Sequence, residues 1–137
     1  MAEQIAGLSP SPIDETTIPR ITYSSPEVAS VGLTEPQARE RYGDGIVAVE
    51  YNLAGNAKSE IIGTGGVAKV IRIADGPVVG VHLIGDRVGE LITEGQLAVG
   101  WEAHPEDLAP LIHAHPTQSE ALGEAFLALA GKPLHSL

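Results

Sequence analysis

The chain has 137 residues, a usual length for one domain, with a formal net charge of −10 and 43% hydrophobic residues. The lysines and arginines form no cluster, so we expect no nucleic-acid partner, which would need grouped positive charge. The absence of cysteine excludes disulfide frameworks, cysteine–zinc sites, iron–sulfur clusters and thiol nucleophiles. No apolar run could span a bilayer and the start lacks the features of a signal peptide, so we expect a cytoplasmic protein with no membrane partner.

Residues 1–18 are predicted to lie outside the main domain. A short helical segment, too brief to be stable alone, precedes the stretch "SPSPIDETTIP". Its prolines fix φ and remove backbone donors, which favours an extended linker. We therefore expect a folded domain over 19–137 and a connection to another region over 1–18.

Strand patterns begin at residue 20. The segments "RITYSS" and "EVASVGL" are rich in β-branched and aromatic residues and predict two strands. The next segment, "TEPQARERYG", predicts a helix over 34–42, because Thr34 and Gln37 have capping-box spacing and Gly43 can end the helix.

Three further strands are predicted before residue 86. The segment "IVAVEYNL" alternates in polarity, which predicts a half-buried strand with Val47, Val49, Tyr51 and Leu53 on its buried face. The apolar runs "GVAKVIRIA" and "PVVGVHLIG" flank Asp75-Gly76 and predict a hairpin. The glycine-rich stretch "GTGGVAK" lacks the spacing of a phosphate-binding loop and predicts a turn before a strand.

The hydrophobic period becomes helical after residue 86. A helix is predicted over 86–101, and Gly95 within its apolar stripe indicates close approach by another element. A short helix is predicted after His104, and a last helix over 118–130. Strands followed by helices indicate an α+β fold with an antiparallel sheet.

The stretch "HAHPTQSEA" over 113–121 holds the most reactive residue types. Thr117 and Glu120 have capping-box spacing at the start of the last helix, which explains Glu120 structurally. Pro116 turns the chain, so the Glu120 carboxylate could instead reach the His115 imidazole, fixing its tautomer and leaving one nitrogen free as a base. Spacing alone leaves both explanations open.

A metal site is the lesser alternative for the same stretch. His113 and His115 are two residues apart and could converge on one ion, with His82, His104 or His135 as a further ligand. The helical zinc motifs are absent, however, and a pair of histidines at this spacing often occurs by chance. We therefore expect no metal.

Two segments resemble one protein family. The segment "HAHPTQSEALGEAFLALAGKPLH" over 113–135 resembles the C-terminal end of dihydrolipoamide dehydrogenases, which are pyridine nucleotide-disulfide oxidoreductases. The segment "PRITYSSPEVASVGLTE" over 19–35 resembles the start of their interface domain. Glutathione reductases share H-P-T-x-x-E, but the preceding "HA" and the ending "AGKPLH" favour the lipoamide enzymes. Gln118 replaces the leucine that is usual in the family, and we expect no chemical consequence.

This resemblance implies a fold and a site. It implies a sheet of about five strands, and residues 1–18 as a remnant of the preceding FAD-binding region. It implies that His115 is an acid/base oriented by Glu120, serving a redox-active disulfide and flavin of the other subunit in a homodimer. His113 and Pro116 would lie near that flavin, and the His115–Pro116 bond would be cis.

The resemblance also limits what the chain could do alone. The FAD domain, the NAD domain and the catalytic cysteine pair of the family have no counterpart in this sequence. Because NAD-dependent oxidation of dihydrolipoamide needs flavin, nicotinamide and a thiolate, we expect the chain to be inert alone. FAD and NAD are thus expected in the full-length enzyme, and no cofactor in this chain.

Two classes of function follow. One is the dimerisation domain of a dihydrolipoamide dehydrogenase, with a homodimer interface built from the last two helical segments and the loop between them. The other is a stand-alone interaction module that docks the acyltransferase core of a 2-oxo acid dehydrogenase complex. The resemblance implies that this core attaches to the family's dimer surface through a segment that tends to be basic, which suits an acidic chain.

Overall fold

One antiparallel sheet organises the computed structural model, which describes residues 1–135. Its strands pair in the order β1-β2-β5-β4-β3, and each neighbouring pair is antiparallel. The strands are β1 Arg20–Thr22, β2 Glu27–Gly32, β3 Ile46–Asn52, β4 Gly66–Ile73 and β5 Val78–Gly85. The predicted α+β class with about five antiparallel strands is confirmed.

Six α-helices accompany the sheet over residues 1–135. They are α1 Ala2–Ile5, α2 Glu35–Tyr42, α3 Ala57–Ile61, α4 Ile92–Gly100, α5 Pro105–Leu108 and α6 Glu120–Leu129. Short 3-10 turns occupy Glu15–Thr17, Leu53–Gly55 and Val88–Glu90. Within these described residues, no helix has the length and apolar character needed to cross a membrane.

Two predicted helices begin later than expected. The helix predicted over 86–101 is interrupted at its start, because Arg87 adopts a left-handed backbone conformation with φ of 62°. A 3-10 turn follows this residue, and α4 begins only at Ile92. The last helix begins at Glu120 rather than at 118, after a turn that has its own hydrogen bonds. The short helices α2 and α5 lie where they were predicted.

Helix α3 was not predicted from the sequence. Its five residues are too few to show a period, but Asn56 caps it, with Oδ1 accepting from the Ser59 N–H at 2.9 Å. Both residues are buried, at 4% and 0% exposure. A short helix with a buried polar cap therefore follows β3 after the 3-10 turn Leu53–Gly55.

The main core lies between one face of the sheet and helices α4 and α6. Val49, Tyr51 and Leu53 pack in or against it, as the alternation in β3 predicted. The prediction was wrong for Val47, which is 44% exposed because the covering helices do not bury that end of β3. Ile46 is buried instead, in a smaller cluster on the opposite face beneath α2.

The β4–β5 hairpin is confirmed at Asp75-Gly76. The positive φ falls on Asp75, at 55°, and the Gly76 N–H donates to the Ile73 carbonyl at 2.8 Å. Arg72, the residue before the last one of β4, is 5% exposed, and its guanidinium lies across the end of the sheet.

Arg72 fastens the hairpin to two helices. Its guanidinium donates to both carboxylate oxygens of Glu106 on α5, at 2.7 and 3.2 Å. It also donates to the Leu129 carbonyl at the end of α6, at 3.2 Å. Paired donors of this kind fix geometry as well as energy. The C-terminal end of α6 is thereby held to the sheet. Because the helix is rigid, this contact also helps to fix the direction of its first turn.

Gly95 confirms the predicted close approach in α4. A Cβ at this position would lie 2.9 Å from both Cβ and Cγ1 of Val81 on β5. We expect Gly95→Ala to lower the free energy of unfolding by about 1–3 kcal/mol, because the helix must move off the sheet. Gly100→Ala in the same helix is the control, since its nearest atom would be 3.8 Å away. Urea denaturation that finds the two variants equally stable would contradict this packing.

Candidate functional site

The candidate site is the turn that precedes α6. The Thr117 N–H donates to Glu120 Oε2 at 2.8 Å, which is one arm of the predicted capping box. The other arm is not formed within residues 1–135, and the Thr117 hydroxyl donates to the Ala114 carbonyl at 2.6 Å. The hydroxyl therefore closes the turn, while the glutamate joins the turn to the helix.

Glu120 also contacts His115. The distance from His115 Nδ1 to Glu120 Oε1 is 2.9 Å, so the predicted contact is confirmed. The His115–Pro116 bond is cis, as predicted. Because a carboxylate only accepts, the shared proton belongs to Nδ1, and in the neutral imidazole Nε2 then carries the lone pair. The imidazole is 71% exposed, and its Nε2 has no partner within residues 1–135.

The two bonds to Glu120 affect its ionisation. Partial burial raises the pKa of this carboxyl group, but the Thr117 N–H and the His115 imidazole lower it by more, so the net pKa lies below the ordinary range for glutamate. Glu120 is therefore an anion at neutral pH. The sequence left open whether Glu120 caps the helix or contacts His115. Both contacts are present, because Oε2 accepts from the Thr117 N–H and Oε1 contacts His115 Nδ1.

His113 occupies a different environment from His115. Its Nε2 lies 2.8 Å from Glu94 Oε1 on α4, and its side chain is only 14% exposed. Its ring packs on α6 at Gly123, where a Cβ would lie 2.7 Å from Nδ1. His113 thus bridges α4 and α6, a contact that the sequence did not indicate. The placing of His113 and Pro116 near a flavin stays a prediction.

A second histidine–glutamate pair lies one turn further along α6. His135 Nδ1 is 2.8 Å from Glu124 Oε1, and the His135 backbone N–H donates to Glu124 Oε2 at 3.0 Å. This pair was not predicted from the sequence, although the four-residue spacing from Glu120 to Glu124 places both glutamates on one helix face.

The two pairs border one cavity of about 170 Å³. Tyr51 lies in its wall and is 5% exposed. Burial raises the pKa of the Tyr51 phenol, and the charges of Glu124 and Glu120 raise it further. The negative charges of the two carboxylates therefore reach the same small space.

The histidines do not assemble as a metal site in the described chain. Across residues 1–135, no group of three metal-ligating side chains is found. His113 and His115 contact different carboxylates. His82 bonds Ser30 and the Leu33 carbonyl, and burial lowers its pKa. His104 precedes α5 and donates its N–H to Asp107 at 3.3 Å.

The fold and the turn correspond to a known family. The chain belongs to the family described as "Pyridine nucleotide-disulphide oxidoreductase, dimerisation domain", whose model matches residues 18–126. This confirms the resemblance found in the two sequence segments.

The curated relatives are dihydrolipoyl dehydrogenases. The chain is 42% identical over 135 residues to one from Bacillus subtilis, covering 97% of this chain and 28% of that protein. It is 41% identical over 133 residues to one from Mycobacterium tuberculosis, covering 95% of this chain and 28% of that protein. The chain thus spans little more than a quarter of the length of these relatives.

Solved structures share the fold. LpdA from Mycobacterium tuberculosis matches with a TM-score of 0.84 at 23% identity, covering 93% of this chain and 28% of that chain. The HOCl-induced flavoprotein disulfide reductase RclA from Escherichia coli matches with a TM-score of 0.74 at 28% identity, covering 80% of this chain and 25% of that chain.

The lowered pKa of Glu120 predicts a pH-dependent contribution to stability. A group whose pKa is lowered on folding stabilises the fold above its ordinary pKa, and this contribution disappears as the pH falls through the folded value. Urea denaturation from about pH 7 to about pH 3 should therefore show a stability deficit in Glu120→Gln that is largest near neutrality and shrinks in acid.

Glu60→Gln is the control for this series. Glu60 lies on α3 and is exposed, and its side chain forms no hydrogen bond within residues 1–135. Its deficit should stay small at every pH. A Glu120→Gln deficit that stays constant from neutral to acidic pH would contradict the assigned bonds.

Proposed function

We propose that this chain is the dimerisation domain of a dihydrolipoyl dehydrogenase, with 19–137 as the domain and 1–18 as a remnant of a preceding FAD-binding region. In this proposal His115 and Glu120 serve the redox-active disulfide and flavin of a partner subunit. The observation that carries it is the 2.9 Å contact between His115 Nδ1 and Glu120, which leaves Nε2 exposed and free.

The pair suits proton transfer. The anionic Glu120 holds the Nδ1 proton, so Nε2 accepts a proton from a substrate thiol and the carboxylate stabilises the imidazolium that forms. Nε2 would then pass this proton to the cysteine sulfur that is released when the partner subunit's disulfide is reduced, and the oxidised substrate would leave as a disulfide. The high exposure of His115 means that this proton acceptor faces outward, toward a second chain, rather than into its own domain.

FAD and NAD belong to other parts of the assembly in this proposal. The cavity that borders His115 has about 170 Å³, which is below the roughly 300–1,000 Å³ of usual cofactor sites. When bound, the flavin would supply electron transfer from the reduced disulfide to the nicotinamide ring of NAD. His113 and Pro116 would border the partner's flavin, and this chain alone would be inert.

A homodimer gives the site its other half. Apolar side chains are exposed on α4 and in the loop before α6, and Ile112 is 98% exposed and Leu111 is 59% exposed. Trp101, at the end of α4, is 77% exposed. Around a two-fold axis, this patch on one subunit would pack against the same patch on the other subunit, so both would be covered.

The proposal extends to the surrounding complex. A formal net charge of −10 suits a basic binding segment on the acyltransferase core of a 2-oxo acid dehydrogenase complex. We place the parent enzyme in the cytoplasm, with no nucleic-acid or membrane partner. The second candidate is a stand-alone module that docks this core, because another protein could also cover Ile112 and Leu111.

The proton-transfer role is tested in a chimera. This chain would replace the matching region of the Bacillus subtilis dihydrolipoyl dehydrogenase, and NAD reduction by dihydrolipoamide would be measured. We expect activity in the chimera and a loss of roughly 10²–10⁴-fold in kcat for His115→Gln. His104→Gln, which changes another exposed histidine, is the control. A His115→Gln chimera with normal flavin content and undiminished kcat would refute the proposed role.

The dimer interface is tested in the chain itself by sedimentation equilibrium. We expect a reversible dimer that Ile112→Asp weakens by about 10-fold or more, because a charge would be buried in an apolar contact. Ile13→Asp is the control, since Ile13 is also exposed, at 79%, but lies outside the proposed interface. A chain that stays monomeric at high concentration would favour the stand-alone module.

A further inference from the structure

A buried polar network lies beneath the turn that carries His115. It contains Asn56, Ser59 and Gln118, which are 4%, 0% and 8% exposed. Asn56 Oδ1 accepts from the Ser59 N–H at 2.9 Å and from the Ser59 hydroxyl at 3.0 Å. Buried polar groups are costly unless they are bonded, and a bonded network of them holds one defined geometry. Three such residues together therefore indicate a structural or functional role for this network.

Asn56 has only one possible orientation in this network. The Ser59 N–H can only donate, so Oδ1 must face it, and Nδ2 then points to the Thr117 carbonyl at 2.9 Å. The amide therefore spans from the cap of α3 to the middle of the turn before α6. These two segments are 61 residues apart in the sequence.

Gln118 holds the same turn at a second point. Its Nε2 donates to the Asp86 carbonyl at 3.0 Å, at the end of the β5 segment, and lies 3.5 Å from the Ser59 hydroxyl. From the sequence, no chemical consequence is expected where Gln118 replaces leucine. The structure shows that the buried Gln118 amide binds the turn to the neighbouring loop.

A series of hydrogen bonds connects Asn56 to the imidazole through the Thr117 backbone and the Glu120 carboxylate. The Thr117 carbonyl accepts from Asn56 Nδ2, and the Thr117 N–H donates to Glu120 Oε2 at 2.8 Å. The other Glu120 oxygen contacts His115 Nδ1 at 2.9 Å. The remaining side-chain bonds of Thr117 stay within the turn, to Ala114 and Ser119. Asn56 thus holds the Thr117 backbone at its carbonyl, one peptide group after the N–H that binds the carboxylate.

We propose that Asn56 is a positioning residue for the His115–Glu120 pair, acting through the backbone of Thr117, whose carbonyl it binds and whose N–H holds Glu120. Its Nδ2 donor sets the tilt of Thr117, whose N–H holds Glu120 in the orientation that meets His115 Nδ1. The importance of this for catalysis rests on the proposed function. The positioning itself is a property of this chain and is measurable without any activity.

The test is the imidazole tautomer of His115, read from ¹⁵N NMR shifts of the chain at about pH 8.5, where imidazole is neutral. In the unaltered chain we expect the Nδ1–H tautomer. Asn56→Asp keeps the acceptor for Ser59 but loses the donor to Thr117, so His115 should show the tautomer mixture of a free, exposed imidazole.

Two controls separate positioning from general loss of structure. Asn52→Ala removes a nearby asparagine whose side chain, within residues 1–135, bonds only the Ala54 N–H, at 2.9 Å, and this variant should leave His115 unchanged. His82 reports the fold within each sample, because its Nε2 faces the Leu33 carbonyl at 2.9 Å on another part of the sheet. A structural role alone would leave the His115 tautomer unchanged in a folded Asn56→Asp chain, and this result would overturn the proposal.

A second variant and a direct measurement cover the case in which Asn56→Asp does not fold. Asn56→Ser retains an acceptor for Ser59 without adding charge, and the same loss of the Nδ1–H tautomer is expected. In the unaltered chain, a scalar coupling across the hydrogen bond from the Asn56 side-chain amide to the Thr117 carbonyl should be present, and its absence would refute the proposal. An active His115→Gln chimera would refute the proposed function but leave these spectra unaffected.

Discussion

The carboxylate of Glu120 is the constraint on which the site depends. One oxygen holds the Thr117 N–H and the other holds His115 Nδ1, so a single side chain both starts α6 and orients the imidazole. The two bonds support each other, because each fixes the carboxylate plane that the other needs. They also lower the pKa of Glu120, which keeps this carboxylate ionised at neutral pH.

This arrangement is precise only because α6 is firmly held. Most of its residues are buried against the sheet, including Leu122, Ala125 and Phe126. Arg72 bonds the carbonyl at its far end, and Gly123 gives the space in which the His113 ring packs between α6 and α4. The His115–Glu120 pair therefore joins the preceding turn to the first residue of a firmly held helix, and the exposed nitrogen of His115 points outward. A site of this form is suited to act on groups that another chain holds.

Much of the fold was predictable because its signals are local. Alternation marked β3 and the Asp75-Gly76 turn marked the hairpin, and the spacing from His115 to Glu120 indicated a possible pair. What the sequence could not give depends on contacts between distant segments. The bonds from Asn56 to Thr117, from His113 to Glu94 and from His135 to Glu124 join residues that no periodicity connects. Exposure of Val47 and the break in the helix at Arg87 also depend on how far the neighbouring helices reach and on one backbone angle.

The central claim is that this domain by itself holds His115 with its proton on Nδ1 and its other nitrogen free. The most direct measurement is the pair of ring ¹⁵N shifts of His115 in the isolated chain and in Glu120→Gln, above the titration range of imidazole. The account predicts a predominant Nδ1–H tautomer in the unaltered chain and its loss in the variant. Identical spectra showing a tautomer mixture in both proteins would contradict it.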